Sequence, residues 1–576
     1  MFRLIVKDRL QWLVTVFFIS ILILGVSLQL VLDSDFGRLE VRTVQITDGI
    51  TELSGLLYRS YAASSQNQFP SIIIAHGISE SKEMMSNLGL ELARRDFVVL
   101  CLDLLGHGES GGTIAEGQQD PTFGVQVAIK YLRAQPFVNS SNMGLVGHSL
   151  GGGAVRAAAA KDSSINALVL IAGGLDTVPQ GQQYGVLNAT FPKNLMVVVG
   201  DYDVLFNMTD LATRQLLYVF NTNQQVIPGL TYGSFQSQTA RLLFTPATSH
   251  LFEPSDSSVV INVISWMQNS LRTGQGTGSV TNMIYWLREV AALFSLVALF
   301  GLFLLTYIPV SKLLSLKSGP SVINMNYVFK KPKSYTIWAA LNLVLFLPMV
   351  FVGFAVSFPP SVFGASIAWW LFAVGLVGLV IISIRAKAST RNAWNWLRGF
   401  FNGKEALIAV ILFFFLLAVV SVFDATLGIV FRILSPIFRS FTSLRRFIIF
   451  PTFLPFFLVY FSAEGFYLHM SHDSAKEQRG GSARNEIWDC LGSVIGKIGV
   501  FLVVLALQYL PKMFLGIWIL PNYLGFLVEF LWVITPIFAL STISSWWLHR
   551  NTNNVTAGAV LNALIMAWVA AVVFPF

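Results

Sequence analysis

The chain has 576 residues, of which 54% are hydrophobic and only 12% charged, a balance that excludes a wholly soluble protein and calls for burial in a bilayer. Its net charge of +8 does not mark a nucleic-acid binder, because many of the Lys and Arg residues sit between long apolar runs, where they set membrane topology. The two cysteines, Cys101 and Cys490, are too few for a disulfide framework or a thiolate metal site, and each reads as a plain buried residue.

Arg3, Lys7 and Arg9 precede an apolar run from Trp12 to Leu32, and Asp33 and Asp35 follow it. This charge order predicts a membrane anchor within residues 1–36, with the N-terminus cytoplasmic and the next domain outside. The run is long for a signal-peptide core and no clear small-x-small cleavage site follows, so a retained anchor is expected, with cleavage as the lesser alternative. Residues 37–282 have a mixed composition and predict a soluble α/β domain. Strand candidates are Leu39–Thr47, Leu53–Arg59, Ser71–Ala75, Phe97–Asp103, Met143–Gly147, Ala167–Ala172, Leu195–Gly200 and Arg241–Thr245. Helical patterns fall between them; Asp120-Pro121 is expected to cap a helix running from Thr122 to Ala134. Short β-branched runs alternating with helices predict a mostly parallel sheet with helices on both faces. Sequons at Asn139, Asn188 and Asn207 suit an exterior domain, although a chain of this length meets the pattern by chance.

A short linker, Gly274–Gly278, leads into an all-α membrane domain over residues 283–576. Eight spans are expected at 290–310, 335–357, 367–384, 406–424, 447–468, 489–510, 523–547 and 556–576, each long enough to cross the hydrocarbon core. With the anchor that makes nine. Ser311–Ser334 carries Lys312, Lys317, Lys330, Lys331 and Lys333, and Arg385–Lys404 carries Arg385, Lys387, Arg391, Arg398 and Lys404, whereas Phe358–Ser366 has no charge. The alternation predicts an integral protein of the cell membrane or an endomembrane, with the α/β domain and the C-terminus on the extracytoplasmic side. Arg432, Arg439, Arg445 and Arg446 disagree, because the same count puts them outside. Either an interfacial amphipathic segment near Leu427–Ser443 or a miscounted span would account for them. Glu464, Lys497 and Glu529 fall in or near spans, where charge is costly. A Lys497–Glu529 pair is one reading; interfacial snorkelling or an internal structural ion pair is the other.

The chemistry is carried by Gly147-His148-Ser149-Leu150-Gly151-Gly152-Gly153, a Gly-x-Ser-x-Gly turn between an apolar strand and an Ala-rich helix. So tight a turn favours glycine at 147 and 151 and holds the Ser149 hydroxyl at a helix start, where the positive helix terminus favours an oxyanion. Acyl transfer by serine also needs a base, an acid to orient it, and oxyanion donors. Of seven histidines, only His250 follows the serine within the α/β domain. An apolar strand ends in Asp201-Tyr202-Asp203; Asp203 is the favoured acid and Asp201 the reserve. The backbone N–H groups of Ile78, after Ala75-His76-Gly77, and of Leu150 are the expected oxyanion donors, with His76 a structural hydrogen-bonding residue.

Together His76-Gly77, Asp103-Leu104-Leu105-Gly106-His107-Gly108-Glu109-Ser110, the Ser149 turn, Asp203 and His250 resemble the α/β-hydrolase superfamily over roughly residues 40–272. The order Ser, Asp, His is the one that family uses. The chain looks most like the serine-aminopeptidase, dienelactone-hydrolase and monoacylglycerol-lipase-like branch. The resemblance implies a Ser149 nucleophile, a His250 base and an Asp203 orienter. Members of that branch often insert a lid after the sixth strand. Here only Leu175–Lys193 intervenes, so the site is expected to be open, or covered by the membrane surface or by Phe206–Thr239. No Walker A, zincin or dinucleotide motif is present, so neither cofactor nor metal is expected.

The leading expectation is therefore a membrane-anchored serine hydrolase. It would cleave a small-molecule or lipid-linked ester or thioester through an acyl-enzyme, with the lipid bilayer as its partner. A serine peptidase or acyltransferase has the same triad, because pocket shape chooses the acceptor. A transporter or receptor-like protein whose α/β domain only binds a ligand is the rival of another class. Oligomeric state is left open by the sequence.

Overall fold

A computed structural model of the chain describes residues 2–175, 185–272, 278–314, 331–385, 401–433, 435–469, 483–552 and 554–576. Of the positions singled out above, Gly274–Thr277, Lys317, Lys330, Lys387, Arg391 and Arg398 lie outside the described residues.

Among those residues the α/β domain holds nine strands: β1 (Leu39–Thr47), β2 (Glu52–Ser60), β3 (Phe69–Ala75), β4 (Val98–Leu102), β5 (Val138–His148), β6 (Ala167–Ile171), β7 (Leu195–Val198), β8 (Thr231–Tyr232) and β9 (Arg241–Phe244). Their order is β1-β2-β4-β3-β5-β6-β7-β9-β8. The six strands from β4 to β9 in that order run parallel, while β1, β2 and β8 are antiparallel edges. Strands β3, β4, β6 and β7 are buried along their whole length. They are accordingly near-continuous Ile, Leu and Val rather than alternating, as strands covered on both faces must be. Register aligns the ends of the strands that matter: Ala75 pairs with Gly147, Gly147 with Leu170, Leu170 with Val197 and Val197 with Leu243. The loops after β3, β5, β7 and β9 therefore leave the sheet along one edge.

Two local expectations are corrected. The helix placed at Thr122 begins at Val125, after Gly124 at φ +89°. The Asp120 carboxyl instead closes a turn on the N–H groups of Thr122 and Gly124, behind an unforeseen short helix, Ile114–Gln119. The two-residue strand β8 carries too short a signal to read from sequence.

Nine helices among the described residues are long and apolar enough to cross a membrane, one on each expected span. Their cores mix aliphatic and aromatic side chains, with Trp338, Trp370 and Trp568 buried. The α/β domain is pinned to one face of this bundle. Glu91, fully buried, accepts from the backbone N–H groups of Ile284 (2.7 Å) and Tyr285 (2.9 Å), capping the helix Tyr285–Leu313. The N–H of Asn522 donates to the Val204 carbonyl at 3.3 Å, and that of Ile114 to the Phe576 carbonyl at 2.8 Å. Lys312, Lys333, Arg385, Lys404 and Arg550 fall at helix ends on the opposite face.

The discordant arginines belong to neither structure expected for them. The short strands Phe431–Ile433 and Ser435–Phe438 pair antiparallel and dock on the α/β domain. Arg432 pairs with Glu289 at 2.7 Å, and Arg439 with Glu109 at 2.9 Å and Glu83 at 3.5 Å. Arg446 donates to the carbonyls of Ala571 and Val572. Arg445 donates to the carbonyl of Gly112. Arg432, Arg439 and Arg445 thus reach the α/β domain, while Arg446 holds the end of the last helix. Lys497 is likewise corrected: its partner is Glu464, at 2.7 Å, and not Glu529.

Candidate active site

Strand β5 runs straight into the turn at Ser149, whose backbone sits at φ 50° and ψ −114°, a conformation side chains rarely adopt. It is tolerated because the neighbours allow no alternative. A Cβ on Gly147 would strike the carbonyl of Gly151, and one on Gly151 would strike the carbonyl of Ala75 on β3. Leu150 opens the helix Leu150–Lys161, so its N–H has no intrahelical acceptor. Ile78 lies on the loop after β3 and lines the same cavity as Ser149. Both expected oxyanion positions are thus at the serine turn or beside it.

The structure brings Ser149, His250 and Asp203 into one row. The Ser149 hydroxyl lies 3.0 Å from His250 Nε2, and His250 Nδ1 lies 2.8 Å from Asp203 Oδ2. Asp203 also accepts from the N–H of Leu205 at 2.8 Å and is 1% exposed, while the reserve Asp201 is exposed. An acceptor at Asp203 leaves Nδ1 as the proton-bearing nitrogen and Nε2 free to take the serine proton. His76 is structural: it accepts from the Leu104 N–H at 3.1 Å, and its Nδ1 is 2.7 Å from the Gly77 carbonyl. His107 is buried, and burial lowers its pKa to about 3, which keeps it neutral.

A second buried set braces this row, and the sequence did not announce it. His148 Nδ1 lies 3.0 Å from Glu80 Oε1, and its Nε2 lies 3.0 Å from the backbone carbonyl of His250. Both neighbours offer acceptor oxygens, an arrangement that favours a proton on each ring nitrogen and hence a charged ring. Burial opposes that charge, but the adjacent Glu80 outweighs it and raises the His148 pKa. Burial likewise pushes Glu80 up, and His148 together with the Gly77 N–H (2.6 Å) brings it below the ordinary carboxyl value. One ion pair therefore ties the loop after β3, the serine turn and the His250 loop together. Nearby, Lys82 joins Asp103 (2.8 Å) and Glu109 (3.0 Å), which explains the acidic residues of the 103–110 segment as structural. Burial, then the charge of Asp203, hold Glu253 well above the ordinary carboxyl range.

The cavity over Ser149 is closed by the membrane half. The α/β domain supplies Ile78, Met84 and Leu251 beside the polar row. The opposite wall is Phe526, Glu529, Phe530 and Val533 of the helix Asn522–Thr552, with Val573 and Phe574 near the C-terminus. Their spacing of three and four residues puts the helical ones on one face. Phe526 meets the His250 ring edge-on at 5.3 Å. No residue of Phe206–Thr239 lines this cavity, so that expected cover is corrected in favour of a transmembrane helix.

Residues 70–258 match the family model described as the alpha/beta hydrolase fold. The domain has the α/β-hydrolase fold. Among solved structures, an esterase from Pyrococcus furiosus is 17% identical, with 41% of this chain and 96% of that chain covered and a TM-score of 0.31. A dienelactone hydrolase from Anabaena variabilis is 22% identical over 41% of this chain and 100% of its own, with a TM-score of 0.29. Comparison with curated proteins gave no match. Glu80, His148 and Glu529 are the residues of this hydrolase site that sequence reasoning did not assign. His148 had a signal, since it adjoins the serine, but its partner lies 68 positions away.

Proposed function

We propose that this protein is a membrane-embedded serine hydrolase that cleaves an ester or thioester, with its hydrolase domain on the extracytoplasmic side. Ser149 Oγ attacks the acyl carbonyl while His250 Nε2 takes its proton, and Asp203 holds the resulting imidazolium. The N–H groups of Ile78 and Leu150 receive the oxyanion. Collapse breaks the bond to the alcohol or thiol, which leaves with the proton from His250. A water, activated by the same histidine, then releases the acid from Ser149.

The observation that carries this reading is the Ser149–His250–Asp203 row, at 3.0 and 2.8 Å, opening into a cavity whose far wall is a membrane helix. That wall also favours a lipid or lipid-linked substrate, because an apolar chain can reach Ser149 along Phe526, Phe530 and Val533 without crossing water. The side is supported by the charge alternation of the loops, with Lys312, Lys333, Arg385 and Lys404 at the ends expected inside.

The test is labelling of the full-length protein in intact membranes with a membrane-impermeant fluorophosphonate, alongside Ser149→Ala and His250→Ala. Labelling of the native protein and loss of it in both variants is the expected result. Labelling only after permeabilisation would reverse the orientation, and none under any condition would overturn the hydrolase reading.

A further inference from the structure

The polar groups lining the cavity are nearly all committed to one another. Glu80 holds His148 and the Gly77 N–H; His148 holds Glu80 and the His250 carbonyl; Ser149 and His250 hold each other. Among the described residues of the lining, two polar atoms shut off from solvent have no hydrogen-bond partner: Ser79 Oγ and Glu529 Oε2. Glu529 is 2% exposed. Its other oxygen, Oε1, accepts from the Tyr509 hydroxyl at 2.8 Å, and that bond holds the carboxyl in place from a neighbouring membrane helix. The Leu251 N–H also interacts with this carboxyl from the His250 loop, and Oε2 has no hydrogen-bond partner among the described residues. Ser79 sits at φ +62° on the loop that also carries Ile78.

A buried carboxyl oxygen left without a donor is costly, and the rest of the surrounding wall is Phe, Val and Ile. Interfacial snorkelling does not explain it, since Glu529 is buried and pairs with no basic side chain among the described residues. Structural pairing explains only Oε1. What remains for Oε2 is a donor that arrives with the ligand.

We infer that Glu529 is a specificity-determining residue of this site, accepting a hydrogen bond from a hydroxyl or ammonium group that the substrate carries close to its scissile bond. Ser79 supplies the second polar contact from the hydrolase wall. The inference rests on Ser149 being the nucleophile of that cavity. It narrows the substrate from any acyl ester to one with an apolar chain and a nearby hydrogen-bond donor. A site that aims a buried acceptor at a donor discriminates strongly against the analogue lacking it, because the acceptor is then left unpaired.

The experiment uses the full-length protein in lipid nanodiscs and three fluorophosphonate probes. They are identical except for one substituent near phosphorus: a methyl, a hydroxyl or an ammonium group. The readout is the ratio of second-order labelling rates between a donor-bearing probe and the methyl probe, so a general change in reactivity cancels. Native protein is expected to favour a donor-bearing probe by about tenfold or more. Glu529→Gln keeps the shape and an acceptor for Tyr509 but presents an N–H where Oε2 stood, and should bring the ratio close to one. Glu529→Leu should do the same. The hydroxyl and ammonium arms tell which donor is read. A native ratio near one, or a preference that survives in both variants, would overturn the inference while leaving the hydrolase standing. Loss of all labelling in both variants would assign Glu529 to the support of the His250 loop, and would also overturn it. Native protein that no probe labels would remove the nucleophile, and the inference with it.

Discussion

The floor and the roof of the cavity are built on opposite terms. The floor is backbone: four strand-end loops, a strained serine turn, and an ion pair that ties three of those loops together. Its Ser149–His250–Asp203 row and the Glu80–His148 brace are hydrogen-bonded to one another, which is what a preorganised surface needs, since nothing in them has to reorient as charge develops. The roof is side chain: one face of a transmembrane helix, aromatic and aliphatic, with a single carboxyl held by Tyr509. It can change residue by residue without disturbing the sheet. On the proposed reading, the floor makes and breaks bonds and the roof chooses the substrate.

Four substitutions break or sharpen that contrast. The largest effect belongs to the floor. Ser149→Ala should lower turnover of an acyl substrate by about four orders of magnitude or more while leaving the thermal unfolding of the protein nearly unchanged. Retained turnover would move the chemistry elsewhere. Next is the joint between the halves. Arg439 is 1% exposed and faces Glu83 and Glu109, so Arg439→Ala removes one of the two cations those carboxylates share, Lys82 being the other. A loss of about 1.5–3 kcal/mol is expected, read as a lowered unfolding temperature of the full-length protein in nanodiscs. An unchanged temperature would show that this strand pair does not hold the domains together.

The roof comes third. Phe530→Ala removes one aromatic side chain from the cavity wall, about 1.5–3 kcal/mol of apolar contact. The expected outcome is a KM roughly ten- to a hundredfold higher for a long-chain ester, with a much smaller change in kcat. A fall in kcat at constant KM would place Phe530 with the floor instead.

The smallest effect is a pH dependence. His148 has a raised pKa in the folded protein, so its contribution is whole below its ordinary value of 6.5 and is lost as pH rises through the folded value. Glu80 has a lowered one, so its contribution is present above 4.5 and lost as pH falls through its folded value. The stability gap between native protein and Glu80→Gln should therefore be widest between pH 4.5 and 6.5, at about 1–2 kcal/mol, and should close at higher pH. A gap that does not vary with pH would mean that His148 is not charged.

Much of the floor was legible before the fold was known. Gly-x-Ser-x-Gly, a lone downstream histidine and a strand ending in two carboxylates are local patterns with local causes, namely steric limits at a tight turn and apolar periodicity. The choice of Asp203 over Asp201 was legible only as a preference, because both follow the same strand and backbone direction decides which one meets His250. The nine spans were legible for a similar reason: hydropathy over twenty residues needs no knowledge of neighbours.

The pairing of charges was not legible at all. Glu80 and His148 are 68 positions apart, Arg439 and Glu109 are 330 apart, and Lys497 found Glu464 rather than Glu529. By itself the sequence determined the elements, the membrane class and the candidate nucleophile, base and acid, since each of these follows from the sterics and solvation of a short stretch. Only the tertiary structure decided what roofs the site and which carboxyl lies within it. Those depend on which surfaces meet, and buried polar groups take whatever partner the packing brings within hydrogen-bond reach.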